Sequence, residues 1–182
     1  MSNRSIHTLL KNWDEECPLT REEAVEVLNL PEEEMDSLME CAYELRTKYK
    51  GKKVSVQLLT NVRSGNCTQN CAYCAQSKDS QAEIEKYKRV SDEKLYGDND
   101  LVDEKHLARH CIGLSGIGFS DEEIEDLADR IREMKKKDTQ ICCSIGFLTE
   151  KQARILKDAG LDRINHNLNS SRSFYPEICT TH

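Results

Sequence analysis
The chain has 182 residues, enough for one domain with a real core, and a formal net charge of -7 that argues against nucleic acid or an anionic membrane as its main partner. No apolar run approaches the roughly 20 residues a membrane span needs, and Met1-Ser2-Asn3-Arg4-Ser5 leads into no signal-peptide core, so a cytoplasmic protein is expected. In a reducing compartment, nine unevenly spread cysteines point to metal rather than disulfides, and with 5% aromatic residues any core must be mostly aliphatic.

Residues 1–18 show little periodicity. Leu19-Thr20-x-x-Glu23 is a capping-box pattern that opens a short helix through Leu28. Pro31 then starts a longer helix, in which Met35, Leu38, Met39, Ala42 and Leu45 make one apolar stripe. Cys17 and Cys41 fall in this region and read as ordinary small residues. Gly51 ends the helix, so residues 1–50 read as an N-terminal helical extension and 51–182 as the main domain.

Val54 to Thr60 is β-rich and reads as the first strand, with a cysteine-bearing loop soon after it. Residues 78–100 are highly charged, and Gly97-Asp98-Asn99-Asp100 is a turn signal that interrupts any helix there. Ala108 to Leu114 reads as the second strand. Phe119-Ser120-x-x-Glu123 combines a capping box with a Phe119–Ile124 staple, and Ile124, Leu127, Ala128, Ile131 and Met134 form the apolar face of the helix it opens. Gln140 to Ile145 is the third strand. Thr149-x-x-Gln152 opens a helix whose apolar residues include Ala153, Ile155 and Leu156, with Gly160 placed to terminate it. Asp162 to Asn167 is the fourth strand. Strands and helices alternating at this spacing predict α/β structure with about four parallel βα units. A full eightfold barrel takes about 250 residues, so a partial (βα) TIM-type barrel is expected.

The chemistry is concentrated in Cys67-Thr68-Gln69-Asn70-Cys71-Ala72-Tyr73-Cys74. Three thiolates at C-x3-C-x2-C spacing can hold three corners of a metal cluster and leave a fourth corner open to a small molecule. Zinc suits the spacing poorly, because no second cysteine pair matches it. Strand alternation adds to this picture. Arg109, Cys111 and Gly113 share one face, Cys142 and Ser144 another, and Asn165, Asn167 and Asn169 a third. If these faces turn into a barrel, thiols and amides line its interior. Buried amides without partners cost about 1–3 kcal/mol each, so a polar ligand is expected among them.

These residues resemble a known family. C-x3-C-x-aromatic-C soon after the first strand of a βα barrel is the signature of the radical S-adenosylmethionine (SAM) enzymes. Within them the chain resembles the biotin synthase family, through the stretch from Gly65 to Ser77, Arg109-His110-Cys111, Cys142-Cys143-Ser144-Ile145-Gly146 and the stretch from Ala159 to Asn169. The resemblance covers roughly residues 20–182. It implies that Cys67, Cys71 and Cys74 bind three irons of a [4Fe–4S] cluster, that the fourth iron takes SAM, and that Tyr73 lies near the adenine. One electron then releases a 5′-deoxyadenosyl radical, which removes hydrogen from dethiobiotin. Cys111 and Cys142 are implied ligands of a sulfur-donating [2Fe–2S] cluster, with Arg109 beside it. Asn165 is implied to contact dethiobiotin, Asn167 both dethiobiotin and SAM, and Asn169 the SAM ribose, at a position that is often aspartate.

The family's second half, with a further cysteine and an arginine ligand, is missing here. The chain is therefore expected to be an N-terminal fragment, not competent alone, of an enzyme that is a homodimer when full length and draws electrons from a flavodoxin- or ferredoxin-type donor. Cys179 matches no motif and reads as incidental. Two other readings stand beside this one. One is a different radical SAM enzyme with a similar barrel; the other is a non-catalytic iron–sulfur or zinc-binding protein.

Overall fold
In a computed structural model, which describes residues 19–181, the expected caps form and set the helices. Helix α1 (Arg21–Leu28) starts at Thr20, whose hydroxyl accepts from Glu23 N at 3.2 Å while the Glu23 carboxylate accepts from Thr20 N at 2.8 Å. Pro31 caps a short 3-10 turn, Glu32–Glu34, that runs into α2 (Met35–Lys50), and Gly51 ends α2 with φ +62°. The apolar stripe expected on α2 is only partly used. Cys41 is buried with Leu19, Val27, Leu30 and Leu38 packed around it, while Met35 and Met39 are exposed. The apolar side chains gathered there cover one side of α2, so burial follows Leu38 and Cys41. Cys17 and the rest of residues 1–18 lie outside the described residues.

By its contacts the chain divides into two compact units, Met1–Val54 and Ser55–His182. The second unit is a four-stranded parallel sheet in the order β1-β2-β3-β4: β1 (Gln57–Arg63), β2 (Arg109–Leu114), β3 (Ile141–Ser144) and β4 (Arg163–Asn165). The helices between these strands are α3 (Asp92–Glu104), α4 (Asp121–Met134) and α5 (Glu150–Asp158), with a short α6 (Tyr175–Ile178) after β4. This is the expected partial βα barrel. Strand β1 begins three residues later than Val54 and runs on to Arg63.

One face of the sheet packs on the helices. Ile112, Ile141, Cys143 and Ile145 join Ile124, Leu127, Ala128, Ile131 and Met134 from α4 and Leu156 from α5 in a single core. Each fully buried Ile or Leu contributes about 1.5–3 kcal/mol. Capping boxes at Ser120/Glu123 and Thr149/Gln152 open α4 and α5 as expected, and Phe119 packs against the core that holds Ile124. On α5, Gln152 and Leu156 are buried and Ala153 is not.

The Gly97–Asp100 turn signal is overridden, because these residues lie inside α3. Ser91 caps that helix, and Leu95, Asn99 and Val102, at i, i+4 and i+7, form its buried face. Asn99 donates to Met134 O at 3.1 Å, and Asp98 accepts from Thr60 at 2.6 Å and from Lys94. Gly97 has open space around it. A glycine inside a helix costs about 1 kcal/mol, which these tertiary contacts offset.

Candidate functional site
The other sheet face carries the chemistry, because the strands pair in register. Leu59, Cys111, Cys142 and Arg163 form one row across the four strands, and Asn61, Gly113, Ser144 and Asn165 form the next row toward the strand C-termini. The alternation expected for Arg109, Cys111, Cys142 and Ser144 is thus present. Cys111 is buried, and its thiol pKa is raised, first by that burial and then by the neighbouring Cys142. Arg109 lies two residues before Cys111 on the same face, and its Nε is buried with no hydrogen-bond partner. Cys143 points the opposite way, into the core under the helices.

A cavity of about 320 Å³ opens at the C-terminal ends of the strands. Cys67, Cys71, Cys74 and Tyr73 from the loop line it, together with Asn165, Asn167 and Asn169. Cys111 and Cys142 do not line it and sit one row deeper in the sheet. The three asparagines are exposed to the cavity, contrary to the expectation that they carry a burial cost in this chain. Asn169 has φ +61°, a left-handed conformation that asparagine tolerates better than most residues.

The cysteine loop is held by its own backbone. Cys67 N donates to Gln76 O at 3.0 Å, Lys78 N to Cys67 O at 2.9 Å, and Cys74 N to Cys71 O at 3.0 Å. Gly65 (φ +75°) and Asn66 (φ +55°) turn the chain sharply out of the strand, and the Gln76 side chain accepts from Gly65 N. The segment after β4 holds the loop's other side. Ala72 N donates to Ile178 O at 2.8 Å, and Asn70 bonds both Thr180 and Thr181. Cys179 is therefore not incidental. It is buried, and its Sγ lies 3.5 Å from Cys71 Sγ. Burial, and then the Cys179 thiol, push the Cys71 pKa up to about 11. Among the described residues no group of three or more His, Cys, Asp or Glu side chains is placed to hold a metal ion. A cluster takes one thiolate per iron, so its ligands need only surround it.

The cavity also holds Leu59, Asn61, Ile117 and Phe147, to which the sequence assigns no role, and Gln76 and His166, which it marks only as members of the matching stretches. Asn61 follows from strand parity once β1 is extended to Arg63. Phe147 and His166 meet at a 5.4 Å ring separation between segments distant in sequence, and no local pattern marks that pairing. Gly146 allows the Ile117 and Phe147 loops to touch, since a Cβ there would stand 2.2 Å from Ile117 O.

Comparison with known proteins gives the following similarities. The family model of the Radical SAM superfamily matches residues 61–182. The chain is 39% identical over 165 residues to the biotin synthase of Geobacillus kaustophilus (strain HTA426), covering 90% of this chain and 50% of that protein. Against the biotin synthase of Bacillus subtilis (strain 168) it is also 39% identical over 165 residues, covering 90% and 49%. The chain thus spans about half the length of the curated relatives it matches. Among solved structures, methylornithine synthase (PylB) superposes with a TM-score of 0.77 at 16% identity, covering 96% of this chain and 50% of that one. The FeFe-hydrogenase maturase HydG from Carboxydothermus hydrogenoformans gives 0.75 at 21% identity, covering 90% and 38%. At these identities the two structures speak for the fold alone. No described helix is long and apolar enough to cross a membrane.

Proposed function
The chain belongs to the radical SAM superfamily, and we propose that it supplies the cluster-binding half of a biotin synthase, which inserts sulfur into dethiobiotin to form biotin. The family implies a [4Fe–4S] cluster and SAM. The narrower reading is carried by one observation: the three loop thiols and the three asparagines line a single cavity. Identity of 39% to biotin synthases over 90% of this chain agrees with it.

The donor set fits the group. Cys67, Cys71 and Cys74 are half-buried thiols on one loop, within reach of solvent and of one another's cavity. In this reading they hold three irons, Tyr73, Asn167 and Asn169 bind SAM, and Asn165 and Asn167 bind dethiobiotin. When bound, the cluster supplies the electron that splits the sulfonium carbon–sulfur bond of SAM. The chain's own residues bind and orient. Exposed asparagine amides hydrogen-bond the ligands, and they lose their water only when a ligand replaces it. Leu59, Ile117 and Phe147 give the cavity apolar walls against which a bound ligand packs. Cys111 and Cys142 hold a second, [2Fe–2S] cluster, and the unpartnered Arg109 Nε offers it a donor.

The same proposal takes residues 51–182 as the N-terminal half of the barrel. It includes a flavodoxin- or ferredoxin-type reductant and a homodimer for the full-length enzyme. Anaerobic reconstitution of this chain with iron and sulfide tests it. About four to six irons per chain and a SAM-dependent change in the reduced cluster's electron paramagnetic resonance are expected. Stoichiometric zinc uptake with no sulfide-containing cluster overturns it.

A further inference from the structure
Cys71 and Cys179 are 108 residues apart in sequence, yet their sulfurs lie 3.5 Å apart. The two segments are tied on both sides of this pair. Ala72 N donates to Ile178 O at 2.8 Å, Asn70 Nδ2 donates to Thr180 Oγ1 at 2.7 Å, and Thr180 N donates to Asn70 Oδ1 at 3.0 Å. A disulfide needs a sulfur separation of about 2.05 Å, so the two sulfurs, at 3.5 Å, must close by about 1.5 Å to bond. Exposure is asymmetric. Cys71 is half-buried on the cavity wall, whereas Cys179 is buried and does not line the cavity.

We propose that Cys71 and Cys179 form a redox-active dithiol in the cluster-free protein, closed to a disulfide by low-molecular-weight disulfides. Through the small fraction of its thiol that is ionised, Cys71 attacks the reagent disulfide, forming a mixed disulfide and releasing one reagent thiolate, which takes up a proton. The Cys179 thiolate then attacks the Cys71 sulfur, and a second reagent thiol leaves. The two protein thiols lose two electrons and two protons, and the reagent disulfide gains them as two thiols. Cys179 acts as the resolving thiol because its position fixes it against Cys71 and out of the reagent's reach. The consequence for the metal centre rests on the reading above, since a Cys71 held in a disulfide is withdrawn as a cluster ligand until a reductant restores it.

The test uses the full 182-residue chain, prepared without iron and treated with oxidised glutathione at mildly alkaline pH. The intact mass is expected to fall by two hydrogens. Peptide mapping should join the loop peptide to the peptide carrying Cys179, with fragmentation locating the bond at Cys71. In Cys179→Ser the glutathione adduct should persist on Cys71, with no internal link. A stable adduct on the wild-type chain, or a bond confined to Cys67, Cys71 and Cys74, overturns the proposal. These readouts need no cluster. A second arm reconstitutes both proteins after oxidant treatment followed by removal of excess reagent. Recovery of iron binding in the wild type only after reduction supports the consequence. Full iron uptake by the oxidised, cross-linked wild type overturns it. If the reduced chain binds no iron at all, the functional reading fails while the dithiol result stands.

Discussion

Cys111 on β2 is the register partner of Cys142 on β3, so two thiols stand side by side on the cavity-facing side of the sheet, one row below Gly113 and Ser144. Parallel pairing places such partners on the same face. The Cys142→Ala variant removes one member of the pair without touching the cysteine loop. In the full-length enzyme it is expected to keep the [4Fe–4S] cluster, lose the second cluster, and form no biotin. Iron content and visible absorbance measure the first two effects and product formation the third. Normal biotin formation sinks the assignment of Cys142.

Cys71 is the loop thiol that meets Cys179 in the segment after β4, and the backbone bonds that shape the loop do not involve its side chain. Cys71→Ala is therefore expected to leave the far-ultraviolet circular dichroism unchanged while abolishing the [4Fe–4S] absorbance of the reconstituted protein. Its effect on SAM cleavage in the full-length enzyme should be equally complete. Unchanged cleavage contradicts the loop's role as the cluster site.

The sheet and its lumen-facing residues were legible because their signals are local. A parity of two puts Arg109, Cys111 and Gly113 on one face whatever the tertiary structure, and S/T-x-x-E/Q boxes fix where α1, α4 and α5 begin. What escaped depends on distant partners. Gly97-Asp98-Asn99-Asp100 carries turn chemistry, yet Asn99 becomes a core residue because His110 and Met134 O offer it partners. Cys179 has no motif of its own, and its meaning comes from a contact with Cys71. The expected fourth strand through Asn167 ends at Asn165, with Asn167 and Asn169 beyond it, and the open cavity leaves all three asparagines exposed, so their burial cost does not arise in this chain.

Gly146 provides a test of how tightly the cavity rim is built. Phe147 N donates to Ile117 O at 2.7 Å, and a methyl group on residue 146 would stand 2.2 Å from that same oxygen. The obstructing atom is backbone, so the loop itself must move. Gly146→Ala is expected to lower unfolding free energy by about 1–3 kcal/mol, the usual cost of overpacking, and to weaken SAM binding by reshaping the wall at Ile117 and Phe147. Urea denaturation measures the first effect and isothermal titration of the reconstituted chain the second. A wild-type urea midpoint means the rim tolerates the shift and the close approach carries no structural weight.

His110 gives the fold a defined acid sensitivity. It lies on the helix-facing side of β2, fully buried, with Nε2 2.8 Å from Thr60 Oγ1 and Nδ1 3.2 Å from Asn99 Oδ1. Burial lowers its pKa from 6.5 to about 4, against the pull of the Asp98 carboxylate. The unfolded chain therefore binds a proton to this ring at a higher pH than the folded chain does. Between pH 6.5 and about 4 the unfolded state holds more protons, so stability rises with pH across that window and is lost as pH falls through it. The full effect is on the order of 3 kcal/mol, from about 1.36 kcal/mol per pKa unit. Urea midpoints taken from pH 7 down to pH 4 should decline, and His110→Gln should flatten the part of that decline due to the ring. Carboxylates such as Asp98, whose pKa is held below the usual range, lose their share at lower pH, so the two contributions separate along the titration. An identical pH profile in the His110→Gln variant excludes the ring as the acid-sensitive group.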